Sequence, residues 1–438
     1  MRTLPLPTPP PAVAPPAAPD ATVGRPAPPA TAATWRGREI LDAPETAQVL
    51  YAAWSGDPAV VVPSPPGAGK TRLVALLAVA LAERAELRVG IAAQTREQAV
   101  EIARRVGRLT DRAVLMWSNK NPTPDSGNTK AVSRGDIRFP NDGGGILIAT
   151  TARWLYADPD QFRCDLMIVD EAWQATYADL GALGAHAGQV VCVGDPGQID
   201  PVVTGDTSRW HSLGSGPHLP APAALRAAHG DAIAVVTLRH TWRLGPATTA
   251  LIQPAFYPGM PFTSRRPPEH LTGENGQPLP EIAHHLVAVT GGPGDPALTV
   301  ACADRVRRLL DTSLTAAEGT RPVTAEDLAV VCAHVTQAAA VRATLADHPG
   351  LLVGTANQLQ GLERPAVVVM HPLAGYRDGG GFGADNGRAC VMLSRHRAHL
   401  TVVMDQATPD VLAATDPAAP GIAGHLALTH SLLDTPNA

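Results

Sequence analysis

Residues 60–74 constrain this chain most, because they join a short β-branched run to a long apolar helix pattern through a loop of prolines and glycines. Such a strand, loop and helix is typical of a site that binds nucleotide phosphates. Gly67 and Gly69 leave room for backbone N–H groups to approach phosphate oxygens, and the helix N-terminus adds its positive dipole end. The pattern predicts that Lys70 reaches the β- and γ-phosphates and that the Thr71 hydroxyl binds Mg²⁺.

Lysine usage supports this interpretation. The chain has three lysines, at positions 70, 120 and 130, and otherwise uses arginine. A composition that disfavours lysine keeps one where a compact, flexible ammonium is needed. Ser64 stands where such loops usually begin with glycine, and the alternative is an ordinary turn with a chance Gly-Lys-Thr. We expect the nucleotide to contact the loop residues Pro66, Gly67, Ala68, Gly69, Lys70, Thr71 and Arg72.

Length and composition limit the classes of protein. A chain of 438 residues, 45% of them hydrophobic, can bury the cores of two or three domains. The net charge of −5 argues against a generally basic surface, so any contact with a polyanion must be a local groove. Five scattered cysteines without a Cys-x-x-Cys pair argue against zinc and predict reduced thiols. Because no apolar run is long enough for a membrane span or continuous enough for a signal peptide, we expect a cytoplasmic protein.

The N-terminal arm, residues 1–34, is rich in proline and alanine and has almost no large apolar side chains. Such a segment cannot offset its ordering entropy, so we expect it to be disordered. Order is predicted to begin near Trp35, with a helix at 40–54 that contains Gln48. A side-chain amide can both donate to and accept from an adenine edge, which makes Gln48 a candidate for base binding. The alternative is a solvated helix glutamine.

Polar residues follow the predicted strands of the first half. Thr95 follows one strand, and Thr150 and Thr151 close the next. The carboxyl ends of parallel strands border the ligand-binding crevice of an α/β sheet, and ordinary loop residues are the alternative. Residues 107–145 are predicted to be a polar insertion rich in glycine, asparagine and proline.

Two acids end the apolar strand predicted at 165–170. Hydrolysis of Mg·ATP requires one carboxylate for the hydrated metal and a second for the attacking water. The pattern therefore predicts that Asp170 binds the metal opposite Thr71 and that Glu171 orients and deprotonates the water. After the next predicted strand, Gln198 lies on a turn from which its amide can reach the γ-phosphate or the water. A common Gly-Asp-Pro-Gly turn without function is the alternative there.

The second half of the chain repeats the alternation of strands and helices, from a strand at 232–238 to a strand at 399–404. This alternation predicts a second parallel, doubly wound sheet. It has no phosphate loop of its own, but it carries Arg243 and Arg395. In a cleft shared by both halves, such arginines can stabilise charge on the γ-phosphate, an effect of roughly 10³–10⁵ in rate. Each arginine taken singly has a surface charge as its alternative.

Six segments, in order, resemble the motifs of superfamily 1 helicases. They are residues 65–71, 170–174, 194–198, 241–244, 360–363 and 394–397. The segment Asp-Glu-Ala-Trp-Gln at 170–174 is similar to the DEAxQ signature of the branch that includes the nonsense-mediated-decay RNA helicase and its DNA-acting relatives. The resemblance runs from about residue 40 to residue 404. Asp200, where a proline is usual, and His396 and His399 in the sixth motif depart from the family pattern.

The resemblance implies roles for particular residues. It implies that Gln48 binds adenine, that Trp242 packs on the base and that Glu363 lies near the nucleoside. The γ-phosphate arginines and the coupling glutamine of the family are matched by Arg243, Arg395 and Gln198. The positions that line the family's nucleic-acid track are matched by Thr95, Thr150, Thr151 and Thr355. The family also implies two RecA-like domains that close on ATP and step along a single strand, in this branch usually 5′ to 3′.

We therefore predict an α/β chain of tandem RecA-like, doubly wound parallel sheets in four segments. These are a disordered arm (1–34), an ATP-binding domain (35–229), a second domain with the arginines (230–405) and a partly helical tail (406–438). The predicted function is ATP hydrolysis with Mg²⁺ that drives movement along single-stranded DNA or RNA, by a monomer or a subunit of a complex. The alternative is an ATP-switched regulatory subunit with little unwinding activity, in which the arm contacts a protein partner. A small-molecule kinase is a poor fit because it gives the second-half arginines no role.

Overall fold

The structure, a computed structural model, describes residues 35–140 and 143–437, so the predicted arm at 1–34 lies outside the described residues. The first half contains α1 (Pro44–Ser55), β1 (Ala59–Pro63), α2 (Lys70–Arg84), β2 (Arg88–Ala93), α3 (Arg96–Gly107), β3 (Ala113–Met116), β4 (Lys130–Val132), β5 (Gly145–Thr150), α4 (Thr151–Leu155), β6 (Leu166–Asp170), α5 (Tyr177–Leu183), β7 (Val190–Gly194), α6 (Ala221–His229) and β8 (Ala234–Val235).

The first sheet has the strand order β4-β3-β5-β2-β6-β7-β1-β8, and all of its pairs are parallel. Its central strands are apolar and buried along their length, as expected when helices cover a parallel sheet. Helix α2 is buried over most of its length because it is built of leucine, alanine and valine and packs on this sheet. The phosphate loop, the acids and three of the predicted threonines (Thr95, Thr150 and Thr151) lie at the carboxyl ends of strands of this sheet, so they share one edge.

Two predictions for the first half are corrected by the structure. The insertion predicted at 107–145 contains β3 and β4, which extend the sheet at one edge. The strand predicted at 232–238 to open the second series is only β8, and it pairs with β1 in the first sheet, with Val60 opposite Ala234. The prediction was wrong because an apolar run indicates a strand but carries no information about which sheet receives it.

The second half contains β9 (His240–Thr241), α7 (Pro246–Phe256), β10 (Thr263–Ser264), β11 (His270–Thr272), β12 (Ile282–Val287), α8 (Pro296–Leu310), β13 (Ser313–Ala316), β14 (Gly319–Pro322), β15 (Leu328–Cys332), α9 (Val335–Thr344), β16 (Leu352–Thr355), β17 (Arg364–Met370), α10 (Asn386–Leu393), β18 (His396–Asp405), α11 (Thr408–Ala413) and α12 (Ile422–Leu433). Its main sheet has the order β12-β18-β17-β15-β16 and is parallel throughout. The predicted α/β class with parallel sheets is therefore confirmed.

Several second-half elements differ from the sequence pattern. Strand β12 was not predicted, because its central residues are His284 and His285. Helix α8 ends at Leu310, and β13 and β14 then form a hairpin that pairs with β11 in a separate antiparallel sheet, which the strand–helix alternation did not predict. Among the described residues, no helix is long and apolar enough to cross a membrane.

The C-terminal segment is part of the second half. Helix α12 packs on α7, and its residues Leu428 and Leu432 are buried in the same core as the strands β15, β17 and β18. The helical content predicted for 406–438 is thus present in α11 and α12. The domain bounds themselves stay a prediction.

Candidate nucleotide-binding site

The phosphate loop connects the buried strand β1 to the N-terminus of α2. Gly67 and Gly69 have φ values of 71° and 83°, in the left-handed region that glycine adopts without strain. A side chain at position 67 would collide with the Cβ of Arg243. Ser64, in place of the usual glycine, is fully buried and donates a hydrogen bond to the carbonyl of Val62 at 3.1 Å. The loop therefore accommodates the serine.

The remaining loop residues differ in exposure. Pro66 is buried, Ala68 and Thr71 are half-buried, and Arg72 is exposed. Because Lys70 is the first residue of α2, the N–H groups of the first helical turn face the loop without partners inside the helix. This arrangement provides an anion site at the helix N-terminus.

Lys70 is buried and lies among carboxylates. Its side chain is 8% exposed, and its Nζ lies 3.7 Å from Glu171 Oε1 and 3.9 Å from Asp195 Oδ2. These separations are long for ion pairs, which leaves the ammonium donors available to a closer acceptor. Asp195 was not among the predicted site residues, although its position after the apolar strand β7 was a signal of the same kind as that of Asp170.

Asp170 and Glu171 follow β6 and differ in environment. Burial, and after it the charge of Glu171, raise the pKa of Asp170 to about 7, although Lys70 and the backbone N–H of Glu171 oppose the shift. Glu171 has a φ of 51°, a left-handed conformation that costs a non-glycine residue about 1 kcal/mol. This bend turns Glu171 toward Lys70 while Asp170 stays buried at the strand end.

Residues Thr71 and Asp170 fit a magnesium ion by their chemistry. A hydroxyl and a carboxylate are oxygen ligands of the kind that Mg²⁺ prefers, usually with phosphate oxygens and water as further ligands. A buried carboxyl whose pKa is raised is one that a cation would stabilise in its ionised form. Among the described residues, no group of three or more histidines, cysteines or acids is placed to hold a metal by itself.

The turn after β7 is held by Asp195. Its Oδ1 accepts a hydrogen bond from the Gly197 N–H at 3.0 Å, and its Oδ2 accepts one from Gln198 Nε2 at 2.7 Å. The carbonyl oxygen of the Gln198 side chain in turn accepts a hydrogen bond from Gln360 Nε2 at 3.2 Å. Because Gln360 lies between β16 and β17, Gln198 contacts both halves of the chain.

Arg243 reaches the phosphate loop through its own backbone segment. The Trp242 N–H donates to the Gly67 carbonyl at 2.9 Å, and Thr241 Oγ1 donates to the Pro66 carbonyl at 2.7 Å. The guanidinium of Arg243 donates to Glu363 Oε2 at 2.5 Å and to the Ser394 carbonyl at 3.3 Å. The structure thus brings this arginine next to the loop, paired with an acid of the second half.

Arg395 is almost fully buried, with 3% of its surface exposed. It donates to the Val391 carbonyl at 2.9 Å and to Ser394 Oγ at 3.0 Å. Burial, and after it the charge of Arg243, lower the pKa of Arg395 to about 10, although Cys390, Asp195 and Glu171 oppose the shift. The hydrogen bonds to Val391 and Ser394 hold the guanidinium within the second half.

Glu363 pairs with two arginines. Its Oε1 lies 3.5 Å from the Nη1 of Arg397, in addition to the pair with Arg243. Burial acts to raise the pKa of Glu363, but the two arginines outweigh burial and lower it. Arg397 also makes two hydrogen bonds of 3.0 Å to Glu269. Glu363 therefore pairs Arg243 with the second half, while the backbone next to Arg243 is bonded to the phosphate loop.

Comparison with known proteins finds a family model that matches part of the chain. Residues 43–214 match the family model described as AAA domain. That segment contains the phosphate loop, the strand-ending acids and the turn with Gln198. Membership in the superfamily 1 helicases and in their DEAxQ branch stays a prediction. A search of curated proteins finds no match.

Solved structures with a similar arrangement include the helicase arterivirus nonstructural protein 10, PRRSV helicase, and the arterivirus protein in complex with DNA. Their sequence identities are 16%, 16% and 15%, and their TM-scores are 0.43, 0.42 and 0.44. The alignments cover 82%, 82% and 83% of this chain and 62%, 55% and 64% of those chains. This chain therefore spans less than two thirds of the length of these helicases.

The two residues predicted to contact the base are both exposed. Gln48 lies on the surface of α1, and the side chain of Trp242 is 55% exposed. Burial and Arg265 lower the pKa of His240, and the charge of Glu45 opposes that shift.

The four predicted track threonines are divided between the sheets. Thr95, Thr150 and Thr151 lie at the carboxyl ends of the adjacent strands β2 and β5, whereas Thr355 ends β16 in the second sheet. Three of the hydroxyls have local roles: Thr95 caps α3, Thr150 caps α4, and Thr151 donates to the Ala93 carbonyl at 3.3 Å. Thr95 is also exposed, so a ligand can reach it.

The departures from the family pattern have local explanations. His396 Nε2 lies 2.7 Å from Thr248 Oγ1, and Thr248 donates its hydroxyl proton to Glu281 Oε1. His396 must therefore donate to Thr248, and burial lowers its pKa well below the usual value, so the ring stays neutral. His399 contacts the Pro280 carbonyl at 2.7 Å and Thr401 at 2.8 Å. Both histidines brace the strand that begins directly after Arg395.

Proposed function

We propose that this chain is an ATPase that requires Mg²⁺ and that uses hydrolysis to move along single-stranded nucleic acid. The observation that carries the proposal is the meeting of three elements at one place. Lys70 lies among Glu171 and Asp195, and Arg395 from the second half responds to the charges of the same two acids. A P-loop with acids on one side and arginines on the other is the arrangement that transfer of a γ-phosphoryl group requires.

ATP binding would replace weak ion pairs by strong ones. The β- and γ-phosphates would accept hydrogen bonds from the N–H groups of the loop and α2 and from the Lys70 ammonium. The present partners of that ammonium are 3.7 and 3.9 Å away. Mg²⁺ held by Thr71 and Asp170 would neutralise charge on the phosphate oxygens. Glu171 would orient and deprotonate the attacking water, and Gln198 would position it.

The arginines complete the site from the second half. Arg243 and Arg395 would stabilise the charge that develops on the γ-phosphate. Arg243 must exchange its pair with Glu363 for the phosphate, so Glu363 sets how readily this arginine is released. Gln48 and Trp242 would hold the base, and the Trp242 N–H already donates to the Gly67 carbonyl of the loop at 2.9 Å.

Movement would follow from closure of the two sheets on ATP and their release after hydrolysis. Gln198 contacts both the turn of the first sheet and Gln360 of the second, which gives closure a direct link to the phosphate site. A strand that crosses Thr95, Thr150 and Thr151 on one sheet and Thr355 on the other would be gripped alternately. The net charge of −5 favours a local grip on the backbone rather than a broad basic surface.

The test is the ATPase rate of the full chain with and without single-stranded DNA or RNA. We expect strong stimulation by at least one of them, and its loss together with the basal rate in Lys70→Ala and Glu171→Gln. Lys120→Ala is the matched control, because it removes an exposed lysine of the same half. Hydrolysis that persists in both site variants would contradict the site.

The second candidate function is an ATP-switched regulatory subunit. The acidic balance and the short span relative to the matched helicases favour it. The intact pair of Asp170 and Glu171 and the two buried or paired arginines favour a hydrolysing motor instead, because a switch does not need them. An ATPase rate that the site variants abolish, but that neither single-stranded DNA nor RNA changes, would favour the regulatory subunit.

A further inference from the structure

One buried hydroxyl of the second half contacts the phosphate site and has no role in the proposed chemistry. Tyr257, 3% exposed, follows α7 directly, and its hydroxyl donates to Asp195 Oδ1 at 2.7 Å. Gly197 faces the same ring, and an added Cβ there would lie 2.6 Å from the tyrosine oxygen. The turn after β7 is therefore built around this side chain, which comes from a helix of the other half.

The direction of the hydrogen bonds is fixed by chemistry. An ionised carboxylate only accepts, so the single hydroxyl proton of Tyr257 goes to Asp195. The Cys390 sulfur lies 3.1 Å from the tyrosine oxygen, and the thiol can then donate to it. Burial raises the pKa of both Tyr257 and Cys390, so both keep their protons at neutral pH. The result is a chain of donors that runs from α10 through Tyr257 to Asp195.

Asp195 is one of two carboxylates that compete for Lys70, the other being Glu171 at 3.7 Å. Its Oδ2 lies 3.9 Å from the Lys70 Nζ, beyond a normal charged hydrogen bond. Gly197, Gln198 and Tyr257 donate to its two oxygens at 3.0, 2.7 and 2.7 Å. Two of these donors belong to its own turn, and Tyr257 is the donor that comes from the second half. Without the Tyr257 hydroxyl, the Asp195 carboxylate could move more freely and would attract the Lys70 ammonium more strongly.

We propose that Tyr257 is a positioning residue that holds the Asp195 carboxylate back from Lys70 and so keeps the ammonium available to the phosphates of ATP. Tyr257 follows α7, and α7 begins three residues after Arg243. The position of the Arg243 segment therefore affects whether the Lys70 ammonium is available. A second half displaced from the first would withdraw the hydroxyl, let Asp195 pair with Lys70 and weaken ATP binding. This inference rests on the proposed function, since it concerns the same phosphate site.

The experiment is Tyr257→Phe in the full chain, with ATP binding and steady-state hydrolysis measured together. The substitution removes one oxygen and keeps the ring that packs edge-on against Phe262 at 5.3 Å. We expect the Kd and KM for ATP to rise by about tenfold, the size of one charge-assisted hydrogen bond, while kcat changes by less than about twofold. Tyr376→Phe is the matched control, because its hydroxyl contacts His334 at 2.7 Å.

A double substitution separates positioning from loss of packing. If Tyr257 acts through the Asp195 carboxylate, Tyr257→Phe should no longer raise the Kd for ATP when Asp195 is already asparagine, since the competing charge is gone. An equal rise in both backgrounds would overturn the inference, as would an unchanged Kd in Tyr257→Phe. The inference would also be overturned if Tyr257→Phe lowered kcat and the melting temperature to the same extent as the control Tyr376→Phe does.

Failure of this inference and failure of the proposed function are distinguishable. A wild-type chain that neither binds nor hydrolyses ATP contradicts the proposed function itself. A wild-type chain that binds and hydrolyses ATP, with a Tyr257→Phe variant of equal affinity, contradicts only the role of Tyr257.

Discussion

The two halves of the site organise charge in opposite ways. Around the phosphate loop, Asp170, Glu171 and Asp195 share one buried lysine, so the first half has more negative than positive groups. In the second half, Arg243 pairs with the acid Glu363, whereas Arg395 donates to the Val391 carbonyl and to Ser394. Neither half alone suits a triphosphate, because one lacks positive charge and the other lacks a loop. The proposed function therefore requires both halves and a cation beside Asp170.

The halves also differ in how burial affects titration. In the first half, burial raises the pKa of a carboxyl, Asp170, whose neutral form is favoured without metal. In the second half, burial lowers the pKa of several histidines, namely His371, His396, His399 and His425. Lowering the pH should therefore stabilise the first half, where a buried carboxylate becomes neutral, and destabilise the second half, where buried histidines become charged.

The largest effect is expected from Arg395→Ala. If the second half supplies the charge that the first half lacks, kcat for ATP hydrolysis should fall by about 10³-fold or more, with a much smaller change in Kd. Steady-state hydrolysis and nucleotide binding measure the two quantities. Arg307→Ala, at an exposed position on α8, is the control and should leave both unchanged. A kcat within tenfold of wild type would mean that the halves do not share the site.

The next effect concerns the stability of the empty protein in Asp170→Asn. The folded-state pKa of Asp170 is raised to about 7, above the unfolded value, so the stability that its neutral form contributes at low pH is lost as pH rises. At pH 8 the variant should be more stable than wild type by about 4 kcal/mol, with most of the difference lost near pH 4. Urea unfolding at several pH values measures it, with the exposed Asp160→Asn as control. If the difference in free energy of unfolding between the variant and wild type did not change with pH, burial of Asp170 would not be the cause of its raised pKa.

The second half should show the opposite dependence in His425→Gln. Burial lowers the pKa of His425 to about 4, and Asp385 opposes the shift. A depressed pKa means that stability present above about pH 6.5 is lost as pH falls toward 4. Between pH 8 and pH 5 the variant should therefore gain about 2 kcal/mol relative to wild type. His430→Gln, at an exposed position on the same helix, should show no such gain in the same urea experiment.

The smallest effect is expected at Thr95, where a structural and a binding role overlap. Thr95 accepts a hydrogen bond from the Gln98 N–H as the cap of α3. Thr95→Asn and Thr95→Asp should both keep the cap and the melting temperature. The aspartate alone should weaken binding of a single-stranded oligonucleotide, by about fivefold at low salt, because it repels phosphates. Equal affinities for the two variants, measured by fluorescence anisotropy, would remove Thr95 from the track.

Local chemistry made much of the site predictable. The loop glycines, Lys70, and the acids after β6 are close in sequence to the strands that place them, so pattern and spacing were sufficient. The strand–helix alternation likewise predicted the α/β class with parallel sheets. The strand at β8 was assigned to the wrong sheet and β12 was missed, since sheet membership depends on partners that a local pattern does not contain.

The sequence by itself determined that a phosphate loop, two strand-ending acids and two arginines exist in this chain, because each is a local feature. The tertiary structure alone decided that Asp195 faces Lys70, that Glu363 pairs with Arg243 and that Tyr257 reaches across to the turn after β7. Tyr257 is 62 residues from Asp195 and Glu363 is 120 from Arg243. Charges and hydroxyls so distant along the chain meet only when both sheets are folded. Hydrophobic burial brings them together, and because that force is non-directional, a local sequence pattern does not show which residues will meet.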